Sequence, residues 1–138
     1  MSASPALLDR SVVVVEDEAL VRELAVCQLE DGGFHVVDFA SADDALRYLT
    51  VHADETAVLF TDVQMPGHIN GLDLVEIVSQ RWPGIKVLVT SGGTLVNPMR
   101  LPPCARFVAK PWRAADILRR VESLAVPQLG SLGWPVLN

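Results

Sequence analysis

The stretch LFTDVQMPG (59–67) ends an apolar run on a single carboxylate, Asp62, and then breaks into a Pro-Gly turn. VVVVEDE (12–18) likewise ends four valines on acids, and ARFVAKPW (105–112) ends an apolar run on Lys110. If these runs are strands of one sheet, Glu16, Asp17 and Asp62 place three carboxylates in one small region. Left alone they repel one another and raise each other's pKa. A hard divalent cation relieves that repulsion, and oxygen-only ligands at a partly open loop suit Mg²⁺. Lys110 adds a compact positive charge, and Ser91, after VLVT (87–90), adds a hydroxyl. Carboxylate, metal, ammonium and hydroxyl together are the parts of a phosphoryl-transfer site with Asp62 as nucleophile.

Taken singly, each residue has a plainer explanation. Asp62 suits a turn cap, and Glu16-Asp17 suit the start of a helix. Ser91 suits a loop hydroxyl, and Lys110 a solvated strand end. The functional reading rests on their convergence, so the elements that carry them decide it.

Those elements alternate. SVVVV (11–15), FHVVDF (34–39), AVLFT (57–61), IKVLVTS (85–91) and ARFVAK (105–110) read as strands, the first covered on both faces. Helical spacing runs through 18–33, stopped by Gly32-Gly33, and through a segment capped by Ser41 with Asp44 three residues on. It recurs in 71–82, with Leu72, Val75, Ile77 and Val78 inward, and in 113–125, with Ile117, Leu118, Val121 and Leu124 on one stripe. Residues 92–104 hold two glycines and three prolines, so at most a short helix fits there. Five strand–helix alternations predict an α/β fold, a doubly wound parallel sheet of five strands with a shortened or irregular fourth helix. In such sheets ligands bind beyond the carboxyl ends of the strands, where strand order reverses. Glu16, Asp17, Asp62, Ser91 and Lys110 all fall on that rim.

The chain of 138 residues suits one domain, over 11–125, with a flexible segment at 1–10 and a short tail at 126–138 that leaves no room for an output domain. A net charge of −6 argues against a nucleic-acid binder. No apolar stretch approaches the roughly 20 residues that cross a bilayer, and no secretory signal is visible, so a cytoplasmic protein is expected. Cys27 and Cys104 lack metal spacing and read as buried, reduced thiols. The three histidines also lack metal spacing, and His68 reads as an exposed loop residue.

VVVVEDE, FTDVQMPG, VLVTSGG and FVAKPW, in this order, give the chain from about 11 to 125 a resemblance to the receiver domains of two-component response regulators. The resemblance implies a flavodoxin-like (βα)5 fold with Asp62 as phosphoacceptor. Asp17 becomes a direct Mg²⁺ ligand, Glu16 a ligand mainly through water, and the Gln64 backbone carbonyl a further ligand. Ser91 becomes the switch hydroxyl, chosen over Thr90 because a small residue, Gly92, follows it. Lys110 pairs with the phosphoryl group, Lys110–Pro111 is a candidate cis peptide, and Phe107 matches an aromatic switch position. A histidine kinase or histidine phosphotransfer protein is the implied donor. The apolar excess of the first helix (Ala19, Leu20, Val21, Leu24, Val26) is the expected docking face. Trp112 is a further candidate for a partner contact.

Two departures qualify the match. The loop from Asp62 to Gly71 is longer than usual in the family, and the Ser91–Lys110 interval is shorter, so the fourth-helix surface through which receivers commonly signal is expected to be irregular here. Signalling by protein contact or as a phosphate sink is the expected function. The alternatives are an unphosphorylated receiver-like interaction module and an Asp-nucleophile phosphatase. The latter wants a second acid or base beside the nucleophile, which Val63 and Gln64 do not supply.

Overall fold

In the computed structural model, residues 10–65, 67–92, 101–103 and 105–125 are described. The sheet has five parallel strands: β1 (Ser11–Val15), β2 (His35–Phe39), β3 (Thr56–Asp62), β4 (Lys86–Ser91) and β5 (Ala105–Ala109). Their order is β2-β1-β3-β4-β5, so the chain reverses its direction of travel across the sheet between β1 and β3. Among the described residues four α-helices cover the faces: α1 (Ala19–Asp31), α2 (Ala42–His52), α3 (Gly71–Arg81) and α4 (Ala114–Ala125). This is the doubly wound α/β architecture expected. The stretch proposed for a short fourth helix falls mostly on 93–100 and Cys104, outside the described residues, as do 1–9, the tail 126–138 and Trp134.

Side-chain alternation along the strands sorts the core into two layers. Val13, Val15, Leu59, Val87 and Val89 face α2 and α3, meeting Leu49, Leu74, Val75 and Val78. Val12, Val14, Val58, Phe60 and Leu88 face α1 and α4, meeting Ala25, Leu29, Ile117 and Val121. Every residue of β1 is buried, as its valines on both faces require.

Helix starts follow their sequence signals. The Ser41 hydroxyl accepts the Asp44 N–H at 3.2 Å, but the Asp44 carboxylate turns to Arg47 (2.9 Å), so only half of the expected capping box forms. A complete box opens α3 instead, between Asn70 and Asp73 (2.9 and 3.0 Å). Two sequence expectations are corrected. Leu72 is exposed, because the buried stripe of α3 runs through Gly71, Leu74, Val75 and Val78. Cys27 is an exposed thiol, because α1 buries only Ala25 and Leu29.

Candidate functional site

The sheet ladder continues past the strand ends and fixes the rim. Glu16 N–H donates to Phe39 O, Val63 N–H to Thr90 O, and Lys110 N–H to Ser91 O, each at 3.0 Å. The side chains of Glu16, Asp62 and Lys110 therefore emerge on one rim, at the ends of β1, β3 and β5. Lys110 Nζ donates to Glu16 Oε1 and to Asp62 Oδ2, both at 2.9 Å, although Lys110 lies 94 and 48 residues away in sequence. Glu16 and Asp62 are only 4% and 6% exposed, whereas Asp17 stands in solvent. Carboxylate oxygens of Glu16, Asp17 and Asp62 lie within 4.8 Å of one another. The Lys110–Pro111 peptide is cis.

Backbone amides hold the rest. Asp62 Oδ1 accepts the Val63 N–H at 2.6 Å and faces the Gln64 N–H at 3.4 Å. Glu16 Oε2 accepts the Glu18 N–H at 3.0 Å. Arg22, on α1, donates to Glu16 O (2.8 Å) and to Asp38 Oδ2 (3.0 Å), tying the end of β1 to β2. Sequence reading gave no sign of Arg22, whose partners are revealed only by the fold.

Desolvation raises the Glu16 carboxyl above its ordinary value, aided by the charge of Asp62 and opposed by the Glu18 amide and Lys110. For Lys110, burial lowers the pKa, but its bonds to Asp62 and Glu16 win and raise it. A raised acid pKa is a burden at neutral pH, since the folded state favours the protonated form. Glu16→Gln is therefore expected to stabilise the metal-free protein at pH 7 by about 1 kcal/mol, read from urea unfolding. The gain should shrink as the pH falls toward the ordinary carboxylate range, where Glu16 protonates.

The donor set fits Mg²⁺. It is all oxygen, it crowds three acids, and one of them is solvent-accessible. Glu16, Asp17 and Asp62 are the side chains that would hold the ion. Among the described residues these three form the one acidic cluster of that kind.

Ser91 closes β4 with 1% exposure. Thr90, its neighbour, is the register partner of Asp62, and its Oγ1 is buried without a hydrogen-bond partner among the described residues. The end of β4 therefore carries two buried hydroxyls, Ser91, which the resemblance favours as the switch, and Thr90 beside it. Phe107 is half-buried, pairs in register with Val89 and packs on the α2/α3 core layer.

The loop after β3 is anchored at both ends. Gly71 N–H donates to Val63 O at 2.9 Å. A Cβ at Gly71 would stand 1.7 Å from the Asp62 carbonyl oxygen, so only glycine lets α3 start there. Gly71→Ala is expected to cost at least about 2–3 kcal/mol in urea unfolding, because the obstacle is backbone. Between these anchors, Asp43 on α2 stands 3.4 Å from the Ile69 N–H and 3.4 Å from His68 Nδ1, while Gly67 turns beside it with φ +128°. His68 is exposed as expected, yet it belongs to this clasp.

Beside the rim, Val21, Leu24, Gly92, Lys110, Pro111 and Trp112 line an apolar cavity of about 430 Å³. Leu20 and Leu24 are 80% and 50% exposed on α1. Trp112 packs edge-on against Phe60 at 5.8 Å, and its indole N–H is buried without a partner among the described residues.

The family model of the response regulator receiver domain matches residues 12–122. The chain belongs to that family. Receiver domains are regulatory modules of two-component systems whose standard role is to accept a phosphoryl group, and they interact with kinases or phosphotransfer proteins. This receiver is 26% identical over 120 residues to the response regulator receiver protein CpdR of Brucella abortus, covering 85% of this chain and 98% of that one. It is 35% identical over 95 residues to an NtrX-like putative response regulator of Rickettsia conorii, covering 65% of this chain but 20% of that one. The chain thus spans nearly all of one relative and about a fifth of the other. The receiver domain of NtrX from Brucella abortus superimposes with a TM-score of 0.74 at 26% identity, covering 83% of this chain and 98% of that one. No helix among the described residues is long and apolar enough to cross a membrane.

Proposed function

We propose that this receiver accepts a phosphoryl group on Asp62 from a phosphohistidine of a histidine kinase or phosphotransfer protein. The observation that carries the reading is the bridging of Asp62 and Glu16 by Lys110 inside a cluster of three carboxylates. One Asp62 carboxylate oxygen forms a bond to phosphorus as the phosphorus–nitrogen bond breaks. The imidazole leaves with the electron pair and takes a proton from solvent. The Val63 N–H, 2.6 Å from Asp62 Oδ1, fixes the orientation of the carboxylate. Lys110, already 2.9 Å from Asp62 Oδ2, neutralises charge on the transferred oxygens. Asp17, Asp62, the Gln64 carbonyl and, mainly through water, Glu16 would hold Mg²⁺, which would add further charge neutralisation there.

The acyl phosphate adds roughly two negative charges at the rim. The Ser91 hydroxyl, with Thr90 beside it, is the donor that responds, and Phe107 repacks with it. The donor protein docks on α1, where Leu20 and Leu24 are exposed and the apolar cavity reaches Lys110 and Trp112. A cytoplasmic location and output through protein contact go with this reading. The phosphatase alternative lacks support, since no second acid or base adjoins Asp62 on the loop side, where Val63 and Gln64 follow.

The test is incubation with phosphoramidate and Mg²⁺, followed by intact-mass and peptide analysis. One hydroxylamine-labile phosphoryl group on Asp62 is expected, with a single burst and slow decay. Steady release of phosphate would favour the phosphatase, and no incorporation would favour a module that works unphosphorylated.

A further inference from the structure

At the opposite end of the sheet, far along the strands from Asp62, a second cavity opens between the starts of β4 and β5 and the last turns of α4. It measures about 270 Å³ and is lined by Lys86, Leu88, Pro103, Arg106, Arg120, Ser123 and Leu124. Strand alternation explains the convergence. Lys86 shares the α4-facing side of β4 with Leu88, and Arg106 is the register partner of Leu88 on β5. Arg120, Ser123 and Leu124 follow one another at helical spacing on α4. Two sheet positions on a covered face thus carry cations, and a third cation comes down from the helix.

No acid lines this cavity among the described residues. That is unusual in a chain of net charge −6, where acids outnumber cations by 17 to 11. Neither Lys86 nor Arg120 has an ion-pair partner among the described residues. Arg106 is held in place instead: its Nη1 donates to Pro103 O at 2.9 Å and to Ala105 O at 3.1 Å. Long cations at a strand end commonly snorkel into water over an apolar floor. Snorkelling would spread them apart, whereas here three of them border one recess whose floor is Leu88 and Leu124.

We propose that this recess is a binding site for a small phosphate-bearing anion, separate from the phosphorylation rim. Two guanidiniums match the oxygens of a phosphate in pairs, the Lys86 ammonium adds a point charge, and Ser123 adds a hydroxyl donor. A monocarboxylate would leave two of the three cations uncompensated. The recess is smaller than the roughly 300–1,000 Å³ of drug-sized pockets, which favours a small ion over a peptide segment.

The experiment is titration of the full chain with inorganic pyrophosphate, free of divalent cations, followed by amide spectra. Saturable shifts are expected at Lys86, Leu88, Arg106 and Ser123, leaving Asp62 and Lys110 unmoved. Raising the ionic strength from about 0.01 to about 0.15 M should weaken binding, as the screening length falls from about 30 to about 8 Å. Arg120→Gln, an exposed position, should weaken it by about tenfold or more. Shifts that never saturate, shifts confined to Lys110, or an affinity unchanged in Arg120→Gln would each overturn the proposal. The mapping on the unaltered chain needs no variant to fold.

Discussion

Asp62→Asn is expected to reduce phosphoryl uptake from phosphoramidate or a phosphorylated histidine donor to background, while leaving the fold intact. The amide keeps the shape of the carboxylate, and its oxygen can still accept the Val63 N–H that Oδ1 accepts at 2.6 Å. What it loses is the negative charge and the nucleophilic oxygen pair that attack phosphorus. The rim should not collapse, because Lys110 keeps its bond to Glu16 at 2.9 Å. One acid fewer also relieves repulsion in the cluster, so stability should stay within about 1 kcal/mol of the parent. Amide spectra confirm the fold, and mass spectrometry reads the uptake. Incorporation that survives the substitution would move the acceptor elsewhere and remove the reason for the rim as described.

Much of this rim was legible because parallel strands carry their meaning locally. Four valines before Glu16 require burial on both faces, and five such runs at regular intervals require crossovers that bring their carboxyl ends together. Asp62 and Lys110 are 48 residues apart, yet the strand pattern alone puts them on the same rim. Contacts that depend on helix rotation or loop path were not legible. Leu72 and Leu74 lie about 200° apart around α3, and apolar residues on both sides of the helix leave the buried side to be decided by how it docks on the sheet. Cys27 sits on a helix rich in apolar residues, so hydrophobicity could not tell its buried side from its exposed one. Asp43, on α2, reaches Ile69 across 26 residues, a contact set by the path of the loop after β3, which has no periodicity to read. Lys86, Arg106 and Arg120 each pass for an ordinary surface cation until the sheet and α4 bring them to one recess.

Lys110→Met is expected to destabilise the metal-free protein by about 2–3 kcal/mol and to slow phosphoryl uptake by at least about a hundredfold. Methionine keeps most of the apolar stem, so the loss isolates the ammonium. Without it, Glu16 and Asp62 stay buried with Asp17 nearby and no cation among them. Breaking a buried pair commonly costs about 3–5 kcal/mol. The lower figure applies because the Lys110 side chain retains 20% of its exposure. The pH dependence has a definite sign. The raised Lys110 pKa means that its contribution is complete at neutral pH and lost only at alkaline pH, as the ammonium deprotonates. Glu16, whose pKa is raised already, protonates readily on acidification, so the deficit of the variant should be smaller near pH 4.5 than at pH 7. Mg²⁺ should restore stability more strongly in Lys110→Met than in the parent. The ion binds the folded state, and no ammonium then competes for the same carboxylates. Urea midpoints at both pH values, with and without millimolar Mg²⁺, measure all of this. A deficit indifferent to both pH and Mg²⁺ would show that Lys110 acts by packing, and the electrostatic account of the rim would fail with it.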